Sequence, residues 1–250
     1  MNFSFGSEEE AFMATVSGLD GCVGGWLCLT EDVTTGKVDA DILSRIDDVL
    51  LLNPLPDIVA VDVPIGLTDT GPRQCDLEAR RRLGPRRSSV FPAPVRPTLV
   101  ATCYPQACQL GKDADDRKLS QQTWAILPKI REVDAFLRKD PKRQNWIREV
   151  HPEVCFWAWN GNRPMVHPKK KKKGEPTLGK AEREALIIHR YGKWYCAAQV
   201  ALPRGKYAYD DLLDAFAALW SAERIKSGKS IVLPADPVLD SYGLRMEIVV

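Results

Sequence analysis

The sequence predicts an α/β fold: a central mixed five-stranded sheet flanked by helices, with a basic helical and loop insertion after the fourth strand. Three observations predict it. Apolar runs at 15–20, 24–30 and 37–43 are separated by turn-forming residues, as in consecutive hairpins. The run IVAV, 58–61, is continuously apolar and is stopped by Asp62, Pro64 and Gly66, as expected of a strand buried on both faces. Residues 209–226 contain DDLLDAFAALWSAERIK, an amphipathic helix whose small residues Ala215, Ala217 and Ala218 let it lie close to a sheet.

The remaining elements follow in order. RIDDVLLL, 45–52, reads as a short helix, and 74–83 as another. Residues 84–98 read as largely loop because Pro85, Pro92 and Pro94 interrupt any ladder or helix. Residues 120–139 read as a helix with Ile126, Ile130, Val133 and Leu137 on one stripe. Pro128 should kink that helix or mark its start. NWIREVHPEV, 145–154, reads as a strand ending near Glu149, residues 179–191 as a helix, and GLRMEIVV at the end as a strand. Residues 1–12 are expected to be a disordered arm, and 13–250 a single domain with its insertion at about 68–145.

Bulk properties exclude several classes. Thirty-five basic and 33 acidic side chains give a net charge of +2, so composition does not mark a nucleic-acid binder; local charge has to. No stretch of about 18 apolar residues is present, so no membrane span is expected. The polar, acidic start lacks a signal-peptide core. Seven cysteines is an odd number, and no C-x-x-C pair occurs. Buried, reduced thiols and a cytoplasmic location are the expectation.

Carboxylates at element ends carry the functional reading. Asp20 ends the first strand and Asp62 the fourth, while Asp211 and Asp214 lie three apart on one helical face. If the first and fourth strands are neighbours, Asp20 and Asp62 meet, and the late helix can bring Asp211 and Asp214 to them. Clustered carboxylates repel one another and are destabilising unless a cation joins them. A hard divalent ion, Mg2+ or Mn2+, suits all-oxygen ligands, and such ions activate water and stabilise the leaving oxygen in phosphodiester cleavage. Each residue has a plainer reading: Asp20 can shape a turn, and Asp210 or Asp211 can cap a helix.

The stretches GLDGCVGGW, VDVPIGL, RQCDLEARRRLGPRRSSVF, LSQQTWAILPKIREVD, EVHPEVCFW, DDLLDAFAA and GLRMEI, in that order, resemble the domain-of-unknown-function 429 family. So does the segment carrying Lys173, Thr177 and Arg183. That family is described as predicted nucleases, and the resemblance implies a ribonuclease H-like fold with nucleic acid, DNA or RNA, as partner. DDLLDAFAALW is also similar to the D-x-x-D-A-L-A helix of bacterial Holliday-junction resolvases, which implies that both Asp211 and Asp214 serve the site. Those resolvases end the fourth strand in Glu, where this chain has Asp62.

Secondary candidates are Glu149, His151 and Glu153 in EVHPE, with His151 either a general base or a structural histidine. The arginine-rich segment 73–96 either grips phosphates, through Arg73, Arg80 and Arg87, or packs its stems on the surface. Lys173 and Arg183 are further phosphate candidates, whereas the lysine run 169–173 reads as solvated. Trp157 and Trp159 can stack bases or fill the core. Two other functions remain open. A glycine-bearing first hairpin is also used by actin-like ATPases to bind nucleotide phosphates, although no second phosphate loop is apparent here. A non-catalytic binding module is the other.

Overall fold

The structure, a computed structural model, describes residues 14–169 and 178–250. The expected arm at 1–12, Lys173 and Thr177 lie outside the described residues.

Three antiparallel strands come first: β1 (Thr15–Cys22), β2 (Gly25–Asp32) and β3 (Val38–Leu43). A two-residue turn joins β1 to β2, with Cys22 paired to Gly25. A 3-10 turn at Ile46–Leu51 replaces the expected short helix and leads to β4 (Ile58–Val61). β4 pairs in parallel with β1, and β5 (Ile147–Glu149) in parallel with β4. The sheet order is β3-β2-β1-β4-β5, a mixed five-stranded sheet consistent with a ribonuclease H-like topology.

Side chains alternate across a strand, so each strand feeds two cores. Val16, Leu27, Leu29 and Ala60 pack against Leu212, Phe216 and Leu219 of the late helix α7 (Tyr209–Lys226). On the opposite face Leu19, Trp26, Val59 and Val61 meet Ile130, Val133, Phe136 and Leu137 of α3 (Gln121–Lys139). Gly18 belongs to the α7 face. A β-carbon there would overlap the Leu219 amide and sit 2.5 Å from the Ala215 carbonyl oxygen. The glycine therefore sets how closely α7 approaches the sheet. Gly18→Ala is expected to lower stability by more than about 3 kcal/mol, because the clash is with backbone that cannot rotate away; a urea melt checks this, and a wild-type midpoint would refute it.

The insertion between β4 and β5 holds α1 (Gln74–Leu83), α2 (Tyr104–Asp115), α3 and three 3-10 turns, the last at Pro141–Asn145. Residues 84–98 are not purely loop, since 3-10 turns occupy Gly84–Ser89 and Arg96–Val100. α3 begins where Ser120 caps it, its hydroxyl accepting the Thr123 amide (3.0 Å). Pro128 lies within that helix instead of starting it. The buried stripe runs through Leu127, and Ile126 points outward, 40% exposed.

β5 ends at Glu149, as expected, and Pro152 opens a helix, α4 (Pro152–Trp159), that the sequence pattern does not show. α5 (Leu178–Tyr191) and α6 (Lys193–Ala201) precede α7. The chain ends in a hairpin of β6 (Val232–Leu239) and β7 (Arg245–Val249). β6 carries Pro234 and Pro237, and its register breaks between Leu233 and Val238, which hid it from a strand pattern. All seven cysteines are free, and Cys103 and Cys196 are exposed, contrary to the expectation of uniformly buried thiols. No helix among the described residues is long and apolar enough to cross a membrane.

Candidate metal centre

Register brings the first two carboxylates together. Gly18 lies opposite Ala60 and Leu19 opposite Val61, and the Asp62 amide donates to the Leu19 carbonyl (3.0 Å). Asp20 and Asp62 are the next pair along this ladder. Both sit two residues beyond a position on the α7 face, Gly18 and Ala60, so both point at α7. β1 itself runs on to Cys22, past the expected end at Asp20, because β2 continues the hairpin; only the pairing with β4 stops here. α7 presents Asp214 one residue before Ala215, whose carbonyl abuts Gly18. The close helix–sheet approach thus delivers the third carboxylate.

One oxygen from each of Asp20, Asp62 and Asp214 lies within 4.8 Å of the other two. Asp20 is 8% exposed. Burial, then Asp62, Asp214 and Asp211, hold its carboxyl well above the ordinary range. Burial, then Asp214, does the same to Asp62. Burial also raises Asp214, against the pull of Lys169. Asp214 Oδ1 is buried without a hydrogen-bond partner among the described residues. This donor set fits a hard divalent cation. It is all oxygen and concentrates negative charge, and its span is one that a single ion bridges at metal–oxygen distances of about 2.0–2.6 Å. The Asp20, Asp62 and Asp214 cluster can hold a metal ion.

Asp211 stands apart from this triad. Its Oδ2 accepts the Ala208 amide (2.8 Å), so it caps α7 from the third helical position, while its charge still reaches Asp20. Burial raises its carboxyl too. Lys169 is a member that sequence reasoning missed: its ammonium pairs with Asp214 Oδ2. In a run of five lysines nothing separates it from its neighbours.

Glu149 is engaged elsewhere. It accepts both Arg73 guanidinium nitrogens (2.7 Å each) and the Ile65 amide (2.6 Å). Burial lifts its carboxyl to about 7 against the pull of Arg73. Arg73 is itself buried and also holds Asp76 (2.6 Å) and the Ile65 and Gly66 carbonyls. Its guanidinium is occupied, which leaves no donor face for a phosphate. Arg73→Ala should cost about 3–5 kcal/mol by stranding two buried carboxylates; a loss under 1 kcal/mol in chemical denaturation would show the pair to be dispensable.

Arg183 is similarly enclosed, fully buried, with bidentate contacts to Glu153 (2.6 and 2.7 Å). Neither Arg183 nor Glu153 faces the cluster as a free group. Arg80 donates to the Val90 carbonyl (2.6 Å), whereas Arg87 is exposed on the 84–89 turn. His151 borders that turn at Ser89 and lies near Asp214; burial pushes its imidazole below the usual value, against Glu153, Asp214 and Asp76. Its Nδ1 is buried without a hydrogen-bond partner among the described residues. Trp157 fills the core, and Trp159 stacks on Trp220 (5.0 Å) and Phe156 (6.1 Å), which supports packing over base stacking.

No curated protein and no solved structure matches the chain. A family model described as a protein of unknown function, DUF429, matches residues 18–238, a span that takes in Asp20, Asp62, Lys169 and Asp214. The chain belongs to the domain-of-unknown-function 429 family.

Proposed function

We propose that this protein is a divalent-metal-dependent phosphodiesterase that cleaves nucleic acid on a ribonuclease H-like fold. The observation that carries the reading is the buried triad of Asp20, Asp62 and Asp214, drawn from two adjacent parallel strands and a helix, with oxygens within 4.8 Å. Lys169 offsets only part of the repulsion among these carboxylates, which stay raised despite it, and a divalent cation would offset the rest. These three residues would hold Mg2+ or Mn2+, with Asp211 at the rim. A bound ion supplies Lewis-acid activation of water and charge for the leaving oxygen.

The chain's own groups do the rest. The rigid β1–β4 ladder keeps Asp20 and Asp62 at fixed separation, as a preorganised site requires. His151, kept neutral by burial and close to Asp214, is poised to accept a proton at Nδ1. Arg87 is exposed on the turn whose Ser89 borders His151, and in this reading it would meet a backbone phosphate.

The test is a cleavage assay on single- and double-stranded DNA, RNA, hybrid and four-way-junction substrates, with Mn2+, Mg2+ or chelator. Cutting of at least one substrate that chelator stops is the expected result. Folded protein that cuts none of them with either ion would overturn the reading.

A further inference from the structure

Lys169 has the features of a built component of the site. Its side chain is 20% exposed, unlike a solvated surface lysine, and its ammonium is paired with Asp214. Its charge acts on all four aspartates, pulling against the repulsion felt by Asp20, Asp62, Asp211 and Asp214.

The backbone leading to it is pinned from several sides. Glu182 of α5 accepts the Val166 amide (2.7 Å) and the His167 amide (3.0 Å). Arg183 donates to the His167 carbonyl (3.1 Å) and is itself locked by Glu153. Gly179 lets α5 come so close to Pro168 that a β-carbon there would overlap the Pro168 carbonyl. The buried Arg183–Glu153 pair, which faces no ligand, thus helps hold the segment that delivers Lys169.

We propose that the Lys169 ammonium is a resident cation of the carboxylate centre, standing where a second metal ion would otherwise bind, so that the protein takes one divalent ion per chain. Three carboxylates are balanced by one divalent ion together with one ammonium. Two ions about 3.5–4 Å apart would need a carboxylate shared between them. Lys169 already engages Asp214 Oδ2, leaving Oδ1 as that side chain's unpartnered oxygen among the described residues. A substrate phosphate entering on the Asp214 side meets an ammonium there. This inference rests on the metal reading of the triad.

The experiment is a Mn2+ titration of the purified full chain, followed by electron paramagnetic resonance of the free ion. It compares wild type, Lys169→Met, Lys169→Arg and Asp62→Asn, with circular dichroism confirming that each is folded. Wild type and Lys169→Arg are expected to bind one Mn2+. Lys169→Met is expected to bind a second, or to hold the first about tenfold more tightly, because a positive charge a few ångströms from the ion has been removed. Two ions in wild type, or a Lys169→Met titration that matches wild type, overturns the role of Lys169 and leaves the metal reading standing. Binding in Lys169→Met but none in wild type also overturns it, since the ammonium would then exclude the ion outright. No binding in any protein overturns both.

Discussion

Asp62→Asn is expected to abolish metal-dependent cleavage, lowering the rate by at least about 10³-fold, which corresponds to roughly 4 kcal/mol of lost transition-state stabilisation. The effect is large because Asp62 has no substitute. It extends a β4 that ends at Val61, and its amide is already committed to the Leu19 carbonyl. Its carboxylate lies within reach of those of Asp20 and Asp214. Asparagine preserves the shape and the backbone bond but removes the charge and one strong oxygen donor. Rates measured beside thermal melts separate this from unfolding. A folded Asp62→Asn protein that cuts at the wild-type rate would show the triad to be irrelevant to the chemistry.

In chelator, the conservative replacement of a site residue should stabilise the fold. Asp20 is held well above the ordinary carboxylate range by burial and by Asp62, Asp214 and Asp211. The folded state therefore binds a proton that the unfolded chain releases above about pH 4. With the folded value raised, stability is fully present below the unfolded value and is lost as pH rises through the folded one. Asparagine cannot titrate. Asp20→Asn is expected to exceed wild type by on the order of 1–3 kcal/mol at neutral pH without metal. The gap should close near pH 4, and Mn2+ should reverse the order because it stabilises only the protein that binds it. Denaturant melts across pH, with chelator or Mn2+, read this directly. An Asp20→Asn protein that is less stable than wild type in chelator at neutral pH would mean that Asp20 serves the fold and not a ligand.

Much of the centre is legible in the sequence because it depends on strand pattern. An apolar run ending in a carboxylate, twice, marks Asp20 and Asp62, and the three-residue spacing on an alanine-rich helix marks Asp214. Their meeting requires only that β1 and β4 be neighbours, which the topology provides. Pairings between buried charges do not show in the same way. Arg73 finds Glu149 across 76 positions of sequence, and Arg183 finds Glu153 across 30, so residues that resemble phosphate ligands and catalytic acids neutralise one another inside the protein. Lys169 was hidden for the opposite reason. It sits in a run that composition assigns to solvent, whereas in the fold its ammonium meets Asp214 and Glu182 of α5 pins the backbone at Val166 and His167 just before it. α4 does not show because it is only eight residues long and nearly all apolar, PEVCFWAW, which leaves no helical stripe to read.

The most direct test of the central claim is anomalous scattering from a crystal grown with Mn2+. The account predicts a peak bounded by the carboxylates of Asp20, Asp62 and Asp214, absent from Asp62→Asn crystals grown in the same way. No peak there in wild type, with the three carboxylates still within reach of one another, would contradict it.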